Sequence, residues 1–213
     1  MTEILLIRHG QSVSNLEKYF TGSADIPLTE LGRTQARQTA EYISAHYKVD
    51  VVYASDLSRA FETGKAVADL FGLPVIPDKS LREIFAGQWE RVHFVDLEKR
   101  FPETFKVWQT DVGNAHPDGG ESVAQLQQRI LESVTRIARE NDGKTVVIAT
   151  HATPVRVLQC HCEGKSLGEM AKIPWVGNAS VTRVEYQDGK LTLLEAGFEG
   201  HLGRLTTALP HNA

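Results

Sequence analysis

With only two cysteines in 213 residues, Cys160 and Cys162, and a single residue between them, the chain has no disulfide framework. Bridging so short a spacing does not suit a helix or a strand, so both thiols read as reduced, the usual state in a cytoplasm. No apolar run approaches the ~20 residues of a membrane span. The one apolar stretch near the start, Ile4 to Ile7, follows Glu3 and ends at Arg8, without the basic start and long apolar centre of a signal peptide. A cytoplasmic protein without membrane contact is therefore expected. The net charge of −4 and the lack of a long run of one sign at either end argue against nucleic acid or an anionic membrane as partner, so any anion site must be local. Also missing are a Gly-x-x-x-x-Gly-Lys-[Ser/Thr] loop, a Gly-x-Gly-x-x-Gly turn and a Gly-x-Ser-x-Gly elbow, which removes the anchors of NTPase, dinucleotide-binding and elbow-hydrolase readings. There is no internal repeat and no low-complexity linker.

What is present is ordinary for a single globular domain spanning 1–213: 41% hydrophobic and 23% charged residues. Short aliphatic runs at Ile4 to Ile7, Val49 to Ala54 and Thr145 to Ala149 read as strands buried on both faces, and Val75-Ile76 as a weak fourth. Between them, Thr29 caps a helix to about His46, Ser58 to Phe71 forms a helix stopped by Gly72 and Pro74, and Leu126, Ile130, Val134 and Ile137 mark one apolar helix face before Asn141. A helix is expected from Val155 to about His161, after Pro154. Ser180 to Tyr186 and Leu191 to Leu194, joined by Asp188-Gly189, read as a closing hairpin. The stretch from about 82 to 120, with Trp89, Phe101, Phe105 and Trp108 among polar residues, reads as an inserted helical lobe. Trp89, Phe105 and Trp108 are assigned to its core rather than to a pocket wall. The alternation predicts an α/β domain, a parallel sheet between helices, with ligands beyond the carboxyl ends of its strands.

Three of those ends carry chemistry. The first strand ends in Arg8-His9-Gly10, the second runs into Ser55-Asp56-Leu57-Ser58-Arg59, and the strand at Thr145 ends in Thr150-His151-Ala152. If the strands are parallel neighbours, two guanidiniums and two imidazoles converge on one sheet edge. The guanidinium fork matches phosphate oxygens, and Gly10 would let backbone amides approach an anion. Arg59 falls in the first turn of its helix, where a cation opposes the dipole, so helix stabilisation does not explain it.

Together with Asn15, Thr21-Gly22, Leu28-Thr29-x-x-Gly32-x-x-Gln35-Ala36, Ala60-x-Glu62-Thr63, Leu81-Arg82-Glu83, Gly119-Gly120-Glu121-Ser122 and His151, these residues give the chain a pattern that resembles the histidine phosphatase superfamily, which includes cofactor-dependent phosphoglycerate mutases. The resemblance implies a three-layer α/β/α fold with about six mostly parallel strands and a phosphohistidine mechanism. It implies that His9 is the nucleophile, that Arg8, Arg59 and His151 hold the phosphoryl oxygens, and that Glu83 is the general acid and base. Asn15, Thr21, Gly22 and the amide of Ala152 match positions that line the substrate pocket.

Departures from the family pattern bear on specificity. Gln11 stands at a commonly acidic position, Ala152-Thr153-Pro154 replaces a frequent glycine pair, and Arg91 follows Trp89-Glu90 where glycine is common. Mutases follow the acid with an Arg-His-Tyr-Gly stretch and a nearby lysine, whereas Glu83 leads into Ile84-Phe85-Ala86-Gly87-Gln88-Trp89-Glu90. This favours a phosphatase acting on a small phosphorylated metabolite with neither metal nor cofactor. A primer-dependent mutase and a non-catalytic phosphate-binding or protein-binding module are the alternatives, and a homodimer is compatible with the sequence. Cysteine-based phosphatase chemistry is unsupported, since Ser166 and Gly168 stand where an arginine is needed six residues after each cysteine. Cys160 and Cys162 diverge on a helix and read as packing rather than metal ligands. His93, His116, His201 and His211 show no ligand spacing.

Overall fold

A computed structural model describes residues 1–208, so His211 lies outside the described residues. Six strands form one sheet: β1 (Thr2–Arg8), β2 (Val51–Ala54), β3 (Val75–Pro77), β4 (Thr145–Thr150), β5 (Val181–Gln187) and β6 (Lys190–Phe198). Their order is β3-β2-β4-β1-β5-β6; the first four are parallel to one another, and the β5–β6 hairpin is added antiparallel to β1. The sheet is thus mixed and mostly parallel. Asp188 and Gly189 turn the hairpin with φ of 52° and 83°, the left-handed pair that matches strand twist.

The period of two along β1 divides the core. Ile4 and Leu6 face one side with Tyr53, Val146, Ile148 and Val184, packed under α6 (Val123–Glu140) and α7 (Ala152–Cys162). Leu5 and Ile7 face the other with Val52, Val147 and Val181, under α2 (Glu30–His46) and α3 (Ser58–Phe71). Covering on both faces is what makes these strands continuous aliphatic runs.

Helix ends follow local chemistry. Thr29 accepts from the Gly32 N–H at 3.0 Å to start α2, and Ser122 with Gln125 forms a reciprocal capping box on α6. Gly72, at φ 66°, stops α3. One boundary differs from expectation: α7 begins at Ala152 and contains Pro154 in its first turn. A first-turn nitrogen has no intrahelical acceptor, so proline there sacrifices nothing. Four short elements were not expected from the sequence, the one-turn helix α1 (Val13–Glu17) and the 3-10 segments Lys79–Leu81, Leu167–Lys172 and Gly200–Leu205.

The stretch from 82 to 120 is less helical than expected, holding α4 (Phe94–Arg100), α5 (Pro102–Thr110) and 3-10 turns at Gly87–Trp89 and Val112–Asn114. Trp89 is fully buried at its centre, with its indole N–H donating to Asp118 Oδ2 at 3.1 Å. Phe105 packs edge-on to Trp89 at 5.6 Å between centroids, and Phe20 reaches in from the segment after α1 to meet Trp89 and Trp108 at 5.5 and 5.0 Å. Contacts of this kind contribute about 0.5–1.5 kcal/mol each beyond area burial.

Candidate active site

The strand order places β2, β4 and β1 side by side, with Ala54 level with Ala149 and Arg8 level with Thr150. Arg8, His9, Arg59 and His151 therefore meet at the carboxyl edge, as their positions after parallel strands require. A cleft of about 80 Å³ opens there, room for on the order of five water molecules. Arg8, His9, Asn15, Thr21, Gly22, Arg59, Glu83 and Ala152 all line it. His151 sits behind the lining, fully buried, its ring 5.2 Å from that of His9 and at 64° to it.

His9 is oriented by its neighbour. Its Nδ1 is 2.7 Å from the Gly10 carbonyl, which can only accept, so Nδ1 carries the proton and Nε2 keeps its lone pair. Burial, followed by the nearby charges of Arg59 and Arg8, holds the imidazole well below its usual pKa, so it is neutral at physiological pH. An imidazole held this way can attack an electrophile through Nε2. His151 is likewise held neutral by burial and then Arg59, and its Nε2 is 2.9 Å from Ser55 Oγ.

The arginines are braced by main chain. Arg59 donates from Nη1 to the Ala24 carbonyl (2.8 Å) and from Nη2 to the Gly22 carbonyl (2.9 Å); Arg8 donates from Nη1 to the Val176 carbonyl (2.5 Å). Burial lowers each pKa to about 10, which still leaves both charged at neutral pH. Among the described residues, seven buried side-chain polar atoms have no partner within the protein, and four of them, Arg8 Nε, Arg59 Nε, His151 Nδ1 and Trp108 Nε1, belong to the cleft or its immediate backing. Buried donors are rarely left unpaired, and such a cluster suits an anion with several oxygens.

Glu83 faces these cations. Its Oε1 accepts from the Ile84 N–H (2.8 Å) and its Oε2 from the Thr153 N–H (3.2 Å). Desolvation outweighs these bonds and the Arg59 charge, pushing the carboxyl above its ordinary range. A carboxyl so placed can exchange a proton with a group bound in the cleft.

Two expectations are corrected. Gly10 does not open its amide to a ligand: its N–H donates to Thr63 Oγ1 at 3.2 Å. The glycine is required instead by close approach, since a Cβ there would lie 2.3 Å from the Gly32 carbonyl oxygen in the first turn of α2. Trp108, assigned to the lobe core, is buried but also lines the cleft, while Trp89 and Phe105 stay in the core. The aromatic wall further includes Tyr19, Phe20, Phe94 and Trp175, none of which the sequence patterns singled out as pocket residues. Arg156 stacks over Trp175 at 4.1 Å and donates to the Ile173 and Met170 carbonyls, fixing that wall. Arg91, where glycine is common in the family, adopts φ 65°, a left-handed conformation that favours glycine.

Cys160 is buried and Cys162 half-buried in α7, and the thiols are free. No group of three or more His, Cys, Asp or Glu side chains among the described residues could hold a metal ion, and no described helix is long and apolar enough to cross a membrane.

The edge cluster and the sheet order define a class. Residues 4–198 match the histidine phosphatase superfamily (branch 1), and the chain belongs to that superfamily, a family of phosphatase enzymes and their mutase relatives. It is 34% identical over 205 residues to phosphoglycerate mutase-like protein 4 of Arabidopsis thaliana, covering 94% of this chain and 86% of that one. It is 28% identical to phosphoserine phosphatase 1 of Hydrogenobacter thermophilus, covering 95% of each. Among solved structures, Bacillus stearothermophilus YhfR superposes with a TM-score of 0.90 at 30% identity, over 95% of this chain and all of that one.

Proposed function

We propose that the protein, acting as one catalytic unit, hydrolyses a small phosphomonoester through a phosphohistidine on His9. The observation that carries this reading is the pairing of a neutral His9, its Nε2 lone pair left free by the Nδ1–Gly10 bond, with unpartnered buried donors on both flanking arginines. In the first step Nε2 attacks phosphorus, the ester P–O bond breaks, and protonated Glu83 gives its proton to the departing alkoxide. In the second, ionised Glu83 takes a proton from water, the water oxygen bonds to phosphorus, and the P–N bond breaks, which returns neutral His9, protonated Glu83 and inorganic phosphate. Arg8 and Arg59 offset charge on the phosphoryl oxygens throughout, the electrostatic support that dominates phosphoryl transfer, and neutral His151 adds an N–H donor at its unpartnered Nδ1. Asn15, Thr21, Gly22 and the Ala152 amide line the path. No metal or cofactor takes part in these steps.

The hydrolase is favoured over a mutase by the cleft's charges. Arg8 and Arg59 are its only cationic lining residues among those described, and the wall beyond them is aromatic, with no second basic cluster to grip a substrate carboxylate or a bisphosphorylated primer. The segment after Glu83 is committed elsewhere: Glu90 Oε1 accepts from the Ser23 N–H at 2.8 Å and from its hydroxyl at 2.9 Å. Purified protein given 3-phosphoglycerate, O-phosphoserine and aryl phosphates is expected to release inorganic phosphate. Efficient, primer-dependent formation of 2-phosphoglycerate would establish the mutase instead, and no turnover on any phosphoester would favour the binding module.

A further inference from the structure

Asn178 belongs to none of the sequence patterns, yet it is buried in the loop before β5 with its whole amide committed. Its Nδ2 donates to the His9 carbonyl (3.0 Å) and to Asn15 Oδ1 (3.1 Å), and its Oδ1 accepts from the Thr207 hydroxyl (2.9 Å). The orientation is forced, because a main-chain carbonyl can only accept and must therefore face the NH2 group.

The same logic fixes Asn15. Its Oδ1 accepts from the Ser12 N–H (3.0 Å), an obligate donor, from the Ser12 hydroxyl (2.9 Å) and from Asn178. With the oxygen turned to the rear and occupied by three donors, the group that Asn15 can offer to the cleft is its NH2.

Thr207 closes a strap. Leu205 accepts at its carbonyl from Gln35 Nε2 (2.7 Å), while Gln35 Oε1 accepts from the Gln11 N–H (2.8 Å), two residues past His9. His201, in the same 3-10 segment, stacks on Tyr42 of α2 at 4.9 Å, and Leu202 is buried. The segment from 200 to 207 thus reaches the loop after β1 through Gln35 and the loop before β5 through Asn178.

We propose that Asn178, clamped by Thr207, is a positioning residue that braces the Asn15 amide from behind, together with Ser12, so that its N–H groups meet the phosphoryl oxygens, which makes the C-terminal strap part of anion recognition. This rests on the cleft being the phosphate site, as read above.

Asn178→Asp is nearly isosteric but replaces the donor with a carboxylate facing two acceptors. The Ser12 N–H still holds Asn15 Oδ1, so the Asn15 amide cannot simply reverse; repelled by the carboxylate, the side chain shifts and its NH2 loses its alignment with the anion. KM for a phosphomonoester and the Kd for inorganic phosphate, read by calorimetry, are both expected to rise about ten- to hundredfold, with kcat changing less. Thr207→Val, which removes only the clamp, should raise both about two- to fivefold. A residue with a purely structural role would lower the melting temperature without moving the phosphate Kd of the folded protein. Wild-type-like Kd and KM in folded Asn178→Asp would overturn the proposal, and should that variant not fold, an unchanged Kd in Thr207→Val would do so. If the wild type binds phosphate but hydrolyses no ester, the hydrolase reading falls while the ratio of phosphate Kd values still decides the role of Asn178. If the wild type binds no phosphate, both fall.

Discussion

Replacing Glu83 with glutamine separates proton transfer from packing. The side chain keeps its shape, and its remaining carbonyl oxygen can accept from the Ile84 or the Thr153 N–H, which now bond to the two carboxylate oxygens at 2.8 and 3.2 Å. The other N–H then faces an NH2 group, a conflict worth about 1–3 kcal/mol for a buried donor. At roughly 2–4 °C per kcal/mol for a chain of this size, the melting temperature should fall by no more than about 12 °C. The catalytic loss is expected to depend on the leaving group. For an alkyl phosphate, whose alkoxide is a strong base, losing the general acid should reduce kcat/KM by about 10²–10⁴, or roughly 2.7–5.4 kcal/mol of transition-state stabilisation. For p-nitrophenyl phosphate, whose phenolate leaves without protonation, cleavage of the ester should fall by less than about tenfold, and single-turnover kinetics would isolate that step from the slower water attack. The assay is therefore the ratio of the two losses in the same preparation. Equal losses on both esters would refute the assignment and leave Glu83 a structural carboxylate.

His9→Ala should abolish turnover and the acid-labile phosphoenzyme seen on rapid mixing with substrate, while circular dichroism stays that of the wild type; retained activity would remove His9 as nucleophile. Stability should fall as pH drops below about 6.5, because burial lowers the folded pKa values of His9 and His151, so the unfolded chain takes up protons first and the stability present above its pKa is lost. Glu83, raised by burial, contributes with the opposite sign, but it is one group against two. Thermal melts across pH 5 to 8 would check the slope (about that window), and a flat profile would contradict it. Arg91→Gly should gain roughly 0.5–1 kcal/mol, the relief of a left-handed residue less the added freedom of glycine in the unfolded chain, visible as a rise of a few degrees in melting temperature.

What the sequence by itself determined was whatever one element could express. The apolar run in β1, the Thr29 cap, the Gly72 stop and the α6 face are each local consequences of side-chain period and backbone preference, and they fall where expected. The placement of Arg8, His9, Arg59 and His151 at strand ends was legible for the same reason, since parallel strands share one carboxyl edge. Glu83 and Asn15 follow no strand end, and the family resemblance was needed to notice them.

The tertiary structure decided the rest, because those features depend on contacts between distant segments. The role of Gly10 is set by Gly32, which presses its backbone against the loop after β1. Trp175 is held at the cleft wall by Arg156, from the helix after His151, which stacks on it, and by Trp108, 6.5 Å away between centroids. Asn178 carried no pattern because its partners come from two distant parts of the chain, His9 and Asn15 after β1 and Thr207 near the far end. The state of His9 is likewise a property of the fold. Burial and two neighbouring guanidiniums keep the imidazole neutral, one carbonyl fixes its proton on Nδ1 and so leaves the Nε2 lone pair, and only the folded chain brings them together.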